Sequence, residues 1–170
     1  MKKVSWLLLM FFCAVVQAKS FYLIRHAEKV DDGSKDPVLT LQGQQRALNI
    51  AHMLSEAAIT QVYATDYQRT QLTAKPLADH LGLPVTIYDP RELTAFADQL
   101  KAQEGNVLIV GHSNTTPMLV HLLSGEPAFK MSEAEYDNIY QLVIEAGQIT
   151  LTQFKSLPMQ SGGNQSTIEK

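Results

Sequence analysis

The most strand-like segment of the chain, Asn106 to Val110, reads Asn-Val-Leu-Ile-Val and ends at Gly111. Phe21 to Ile24 is a second short apolar run with no turn residue inside it, the pattern of a buried strand. Gln61 to Ala64 and Val85 to Tyr88 read as two more. Helical periodicity fills the gaps between them. Thr40 is placed to cap a helix over 41–56, Asp66 to cap one running to Leu81, and 95–103 and 115–123 follow as two others. Pro76 inside the second helix predicts a kink or a break. Strand and helix in alternation require an α/β fold. The expectation is a three-layer sandwich, with a mostly parallel central sheet and helices on both faces. Ligands of such sheets bind where the carboxyl ends of the strands open into loops.

Residues 125–137 carry no clear period. Asn138 to Glu145 and Gln148 to Phe154 alternate as strands and meet at Ala146-Gly147, a hairpin signal. From Ser156 to Lys170 the chain is polar and unpatterned, which predicts a disordered tail. The N-terminus is different. Lys2 and Lys3 precede an apolar run from Val4 to Val16, and Val16-Gln17-Ala18 supplies the small residues of a cleavage site. That order predicts a secretory signal peptide over 1–18, too short to span a bilayer comfortably. The expected division is therefore a signal peptide at 1–18, a single domain at 19–155 and a tail at 156–170. With 170 residues, 45% of them hydrophobic, the chain can bury a core without disulfides.

Cleavage after Ala18 would remove Cys13, the only cysteine, and two lysines. A domain without cysteine has no thiol, disulfide or zinc-thiolate chemistry and suits an oxidising compartment. It would hold twelve Lys and Arg against seventeen Asp and Glu, a net charge of −5. Such a charge argues against nucleic acid as a partner but leaves room for a local cationic pocket. The five histidines, at 26, 52, 80, 112 and 121, contain no close ligand pair, so neither a metal nor a cofactor is expected.

Two of those histidines follow buried strands. The first strand runs into Arg25-His26-Ala27-Glu28-Lys29, and the strand at Asn106 runs into Gly111-His112-Ser113-Asn114. The helix near Thr115 points its free N–H groups into the same space, a favourable place for an anion. Arg69 lies in the first turn of the helix after the second strand and can reach the same edge. Two arginines, two histidines and a helix N-terminus make a cationic pocket whose obvious ligand is a phosphoryl group. Ser113 and Asn114 are its further candidate contacts.

These segments resemble the histidine phosphatase superfamily, also called phosphoglycerate mutase-like. The resemblance rests on Phe21 to Lys29, on Leu39-Thr40-Leu41-Gln42-Gly43, on Tyr63 to Asp66 with Arg69-Thr70 and Thr73-Ala74, and on Gly111-His112-Ser113. It implies that His26 is a nucleophile forming a phosphohistidine, and that Arg25, Arg69 and His112 hold the phosphoryl oxygens. In the small branch a carboxylate after the third strand protonates the leaving group. Glu92 is the candidate for that role, with Asp89 in reserve. Glu28 is expected to orient Arg25 or border the pocket.

The expected activity is metal-independent hydrolysis of a phosphomonoester or phosphoramidate. A non-catalytic envelope module that binds a phosphorylated ligand, and a phosphomutase or phosphotransferase, stand as alternatives. The expected partner is a small-molecule or envelope phosphate, and the expected location is periplasmic or secreted. The loop 29–38 and the segment 127–137 are expected to wall the pocket.

Overall fold

In the computed structural model, residues 18–156 are described; the expected signal peptide up to Gln17 and the expected tail from Leu157 lie outside them. Six strands and four helices follow in order: β1 (Lys19–Arg25), α1 (Leu41–Leu54), β2 (Ile59–Ala64), α2 (Gln68–Leu81), β3 (Val85–Ile87), α3 (Leu93–Ala102), β4 (Asn106–Gly111), α4 (Thr115–Ser124), β5 (Asn138–Glu145) and β6 (Gln148–Lys155). They form one sheet in the order β3-β2-β4-β1-β5-β6. The first four strands of that order run parallel; β5 pairs antiparallel with β1, and β6 with β5. No helix among the described residues is long and apolar enough to cross a membrane.

The two unalternating runs owe their composition to burial on both faces. In β1, Phe21 and Leu23 face a core shared with Phe96 and Leu100 of α3 and Leu119 and Leu123 of α4. Tyr22 and Ile24 face the opposite core, against Ile50 and Leu54 of α1 and Leu77 of α2. In β4, Val107 and Ile109 join the first core, and Leu108 and Val110 the second. Each such side chain contributes about 1.5–3 kcal/mol by leaving water.

Thr40 caps α1, its side chain accepting from the Gly43 N–H at 3.0 Å. Gly43 is glycine for lack of room: a Cβ there would overlap the Glu28 carbonyl oxygen. Asp66 does not cap α2. The helix begins one residue later, at Gln68, and its free N–H is taken by the Asp36 carboxylate of the β1–α1 loop at 2.8 Å. The helix also runs unbroken through Pro76. Ser156, expected to begin the tail, is buried; its N–H donates to the Asp137 carbonyl and its hydroxyl accepts from Arg46.

Strand register sets up the site. β1 and β4 are adjacent and parallel, with Arg25 opposite Gly111. The next residues, His26 and His112, therefore leave the sheet side by side, and the ladder continues one step as the His26 N–H donates to the Gly111 carbonyl at 2.9 Å.

Candidate active site

A cleft of about 420 Å3 opens at the carboxyl end of the sheet. Arg25, His26, Arg69, His112, Ser113 and Asn114 all line it, joined by Lys29, Tyr67, Pro90, Arg91, Thr115 and Glu133. Gly111 lies beneath. The sequence suggests a sharp turn there, but close packing is the reason for glycine: an added Cβ would sit 2.6 Å from Thr115 Oγ1 and 2.8 Å from the Tyr88 hydroxyl.

His26 is buried, with its Nδ1 2.8 Å from the Ala27 carbonyl. A carbonyl only accepts, so Nδ1 carries the proton and Nε2 keeps its lone pair. Burial first, and then the charges of Arg25, His112 and Arg69, hold the ring's pKa down to about 3, against the opposing Ala27 bond. At neutral pH the ring is therefore an uncharged nucleophile with one free nitrogen. The His112 ring lies edge-on to it, centroids 5.5 Å apart. Burial, then Arg69 and Arg25, bring His112 to about 4, with Glu133 pulling the other way.

Hydrogen bonding orients His112 as well. The Thr70 hydroxyl lies 2.9 and 2.8 Å from the Thr65 and Tyr67 carbonyls and uses its proton there. It must then accept from Thr65 Oγ1 at 3.0 Å, which leaves Thr65 to accept from His112 Nε2 at 2.8 Å. The His112 N–H donates to Thr115 Oγ1, which ties this turn to the start of α4.

Arg25 lies over the Tyr136 ring and Arg69 over the Tyr67 ring, both at 4.3 Å. Such stacking fixes a guanidinium plane without using its N–H groups. Arg25 is 2% exposed. Its Nη1 donates to the Ser132 carbonyl at 3.0 Å and its Nη2 to the Glu133 carboxylate. Its Nε is buried with no hydrogen-bond partner among the described residues. A buried guanidinium with an open donor, next to a His26 ring that presents a bare nitrogen, suits an oxyanion on an atom that the ring can attack.

Three expectations need correction. Glu92 does not line this cleft. It stands at the N-cap of α3, which begins at Leu93, two residues earlier than its periodicity suggests. That start turns Glu92 toward a separate cavity walled by Tyr63, Thr86, Phe96 and Gln99. Asp89 is also committed elsewhere, paired with Arg91, whose hydrogen bonds hold its carboxyl near 2. Glu28 does not orient Arg25; both its oxygens are taken by Arg46. The carboxylate that does enter the cleft is Glu133, from the irregular segment before β5. Tyr67 was not anticipated, and Thr65 and Tyr136 lie in segments singled out above without a role given to either, since a tyrosine or threonine in a loop carries no periodic signal.

A family model described as histidine phosphatase superfamily (branch 1) matches residues 21–92. An Enterobacter sp. (strain 638) protein named probable phosphoglycerate mutase GpmB is 40% identical over 76 residues, 41% of this chain and 35% of that protein. The match thus spans about a third of the relative's length. The solved structure of the protein histidine phosphatase SixA complexed with tungstate aligns with TM-score 0.65 and 20% identity, over 80% of this chain and 96% of that one. A phosphoglycerate mutase from Bacillus anthracis str. Sterne aligns with TM-score 0.61 and 14% identity, over 82% and 93%. Over residues 21–92 the chain is similar to the histidine phosphatase superfamily, and its fold is like that of these solved structures. The superfamily match ends at Glu92, so His112 and Glu133 lie beyond it. The similar structures extend the fold likeness across most of the chain, and they include both phosphatases and mutases.

Proposed function

We propose that this chain is a metal-independent phosphatase that carries a phosphoryl group on His26. One observation carries the reading: the Ala27 carbonyl fixes the His26 proton on Nδ1, inside a pocket that holds the Arg25 and Arg69 guanidinium groups. In the first step Nε2 forms a bond to phosphorus as the bond to the leaving atom breaks, and the leaving group takes a proton. In the second, water bonds to phosphorus, the N–P bond breaks, and one water proton passes to a base. Arg25 and Arg69 stabilise the phosphoryl oxygens throughout, the work that metal ions do at other phosphoryl-transfer sites. Lys29 and Arg91 at the rim favour an anionic substrate body. The leader-like pattern over 1–18 supports a periplasmic or secreted location for the reaction.

A mutase or phosphotransferase uses the same first step and differs only in the acceptor. The relatives named phosphoglycerate mutases favour that second reading. Phosphate release from p-nitrophenyl phosphate, measured in excess chelator with wild type and His26→Ala, tests the proposal. The expected result is turnover that survives chelator, is lost in the variant and leaves an acid-labile phosphate on His26 during turnover. A wild type that binds phosphate but never labels His26 would overturn it in favour of a binding module. Transfer to an added alcohol in preference to water would favour the phosphotransferase.

A further inference from the structure

Among the described residues, Glu133 is the one carboxylate lining a cleft otherwise made of cations and uncharged groups. One of its oxygens accepts from Arg25 Nη2 and the other from the Ser113 hydroxyl. Its side chain is 77% exposed, whereas that of Arg25 is 2% exposed. The carboxylate therefore reaches in from solvent onto a buried guanidinium and takes a donor that a phosphoryl oxygen would use. Resting on the phosphatase reading above, we propose that Glu133 is both a resident anion that substrate displaces from Arg25 and the proton donor to the leaving group.

The geometry permits both roles because Arg25 holds the segment through different atoms. Its Nη1 donates to the Ser132 carbonyl and its ring contact is to Tyr136, on either side of Glu133. A phosphoryl group that takes Nη2 and the unpartnered Nε leaves those two contacts in place. The segment stays docked, and the displaced carboxylate stays over the cleft, within reach of Ser113. Arg25 is the charged group facing Glu133, with the neutral His26 and His112 rings beside it, and the Ser113 hydroxyl is its first stabiliser as an anion. In the unliganded protein these hold its carboxyl below the usual range. Replacing the arginine contact by a phosphoryl dianion reverses the local field, and the carboxyl takes a proton from solvent.

The proton balance then closes. The Glu133 carboxyl gives its proton to the leaving oxygen as the P–O bond breaks and the His26 Nε2–P bond forms. The resulting carboxylate takes a proton from the attacking water as the new P–O bond forms and the N–P bond breaks. Neutral His26 and the Glu133 carboxyl are restored.

The test is Glu133→Gln, an exposed position where the fold is not at risk, compared with wild type in two measurements. In calorimetric titration with inorganic phosphate the variant binds about fivefold more tightly, because a competing charge is gone. In turnover, kcat on glycerol phosphate falls about 10²-fold. The loss on p-nitrophenyl phosphate, whose leaving group needs little protonation, is at least about tenfold smaller. Phosphate affinity unchanged or weakened would overturn the displacement, and equal losses on the two esters would overturn the proton transfer. A wild type inactive on both esters would overturn the phosphatase reading and with it the donor step. The phosphate titration would still decide the displacement.

Discussion

Two Arg–Glu pairs stand about the carboxyl end of the same sheet, and they differ in what is left over. Arg46 and Glu28 are both largely buried, 13% and 14% exposed. Arg46 Nε and Nη2 bond both Glu28 oxygens, and Nη1 bonds the Ser156 hydroxyl. Every guanidinium nitrogen of Arg46 thus has a partner, and the pair joins the exit of β1, the body of α1 and the residue after β6. In the other pair Arg25 is buried, Glu133 is exposed, and Arg25 Nε has no partner among the described residues. Equal charges at similar distances thus make a clasp in one case and an open socket in the other. The difference lies in donor satisfaction and in the exposure of the anion, not in the residue types.

The comparison is broken most sharply by making the same substitution in both. Arg25→Lys keeps the charge but loses the fork and its hold on Ser132. We expect kcat/KM on p-nitrophenyl phosphate to fall about 10²–10³-fold. Arg46→Lys should leave kcat/KM within about twofold but lower the melting temperature, because lysine loses the fork on Glu28 and the bond to Ser156. If the two variants lose activity equally, the distinction between socket and clasp is wrong.

Acid titration sharpens the same point at the socket. His26 and His112 are held near 3 and 4, below the 6.5 of a free histidine. Above pH 6.5 neither the native nor the unfolded chain protonates them, and stability is at its full value. As pH falls below 6.5 the unfolded chain takes protons that the native site refuses, so stability falls continuously toward pH 4 and then 3. The loss from His26 alone is on the order of 4 kcal/mol across that window. Urea midpoints measured from pH 7 to pH 4 should show the slope in wild type and a shallower one in His26→Gln. A variant with the wild-type slope would mean that the ring is not held neutral.

The clasp yields a purely structural effect. Arg46→Ala leaves the largely buried Glu28 without its partner and should cost about 2–3 kcal/mol. Pairing Arg46→Met with Glu28→Leu should recover much of that, since two apolar groups need no partner. Failure of the double variant to recover would show that the Ser156 bond, and not the ion pair, carries the stabilisation.

The open socket was partly legible in the sequence, and the reason is local. Arg25, His26, Gly111 and His112 follow directly from strands that announce themselves by continuous apolar runs. Parallel register then brings the two turns together. Arg69 is similarly near the end of β2. Glu133 was not legible, because it reaches Arg25 across 108 residues and Ser113 across 20 from a segment with no period. Glu92 misled for the converse reason. Nearness in sequence to the end of β3 places it at the right edge of the sheet, but the start of α3 decides which way it turns. Asp36 was hidden in the same manner as Glu133: a loop aspartate gives no sign that a helix two elements later lacks a cap.

Asp36 is also to Arg69 a weaker version of what Glu133 is to Arg25. Its Oδ1 accepts from the Gln68 N–H at 2.8 Å and lies 3.7 Å from Arg69 Nη1. Removing the side chain and removing only its charge therefore have separable effects. Asp36→Ala loses the cap and should cost about 1 kcal/mol in urea unfolding. Asp36→Asn keeps an oxygen for the Gln68 N–H and should retain most of that stability. Without the charge near Arg69, the Asn variant should bind inorganic phosphate about twofold more tightly, the small effect expected of an exposed pair. Equal destabilisation by the two variants would mean that the ion pair, not the cap, anchors the loop to α2. A gain as large as that of Glu133→Gln would mean that the two arginines face equal competition, and that the buried guanidinium holds no special place in the socket.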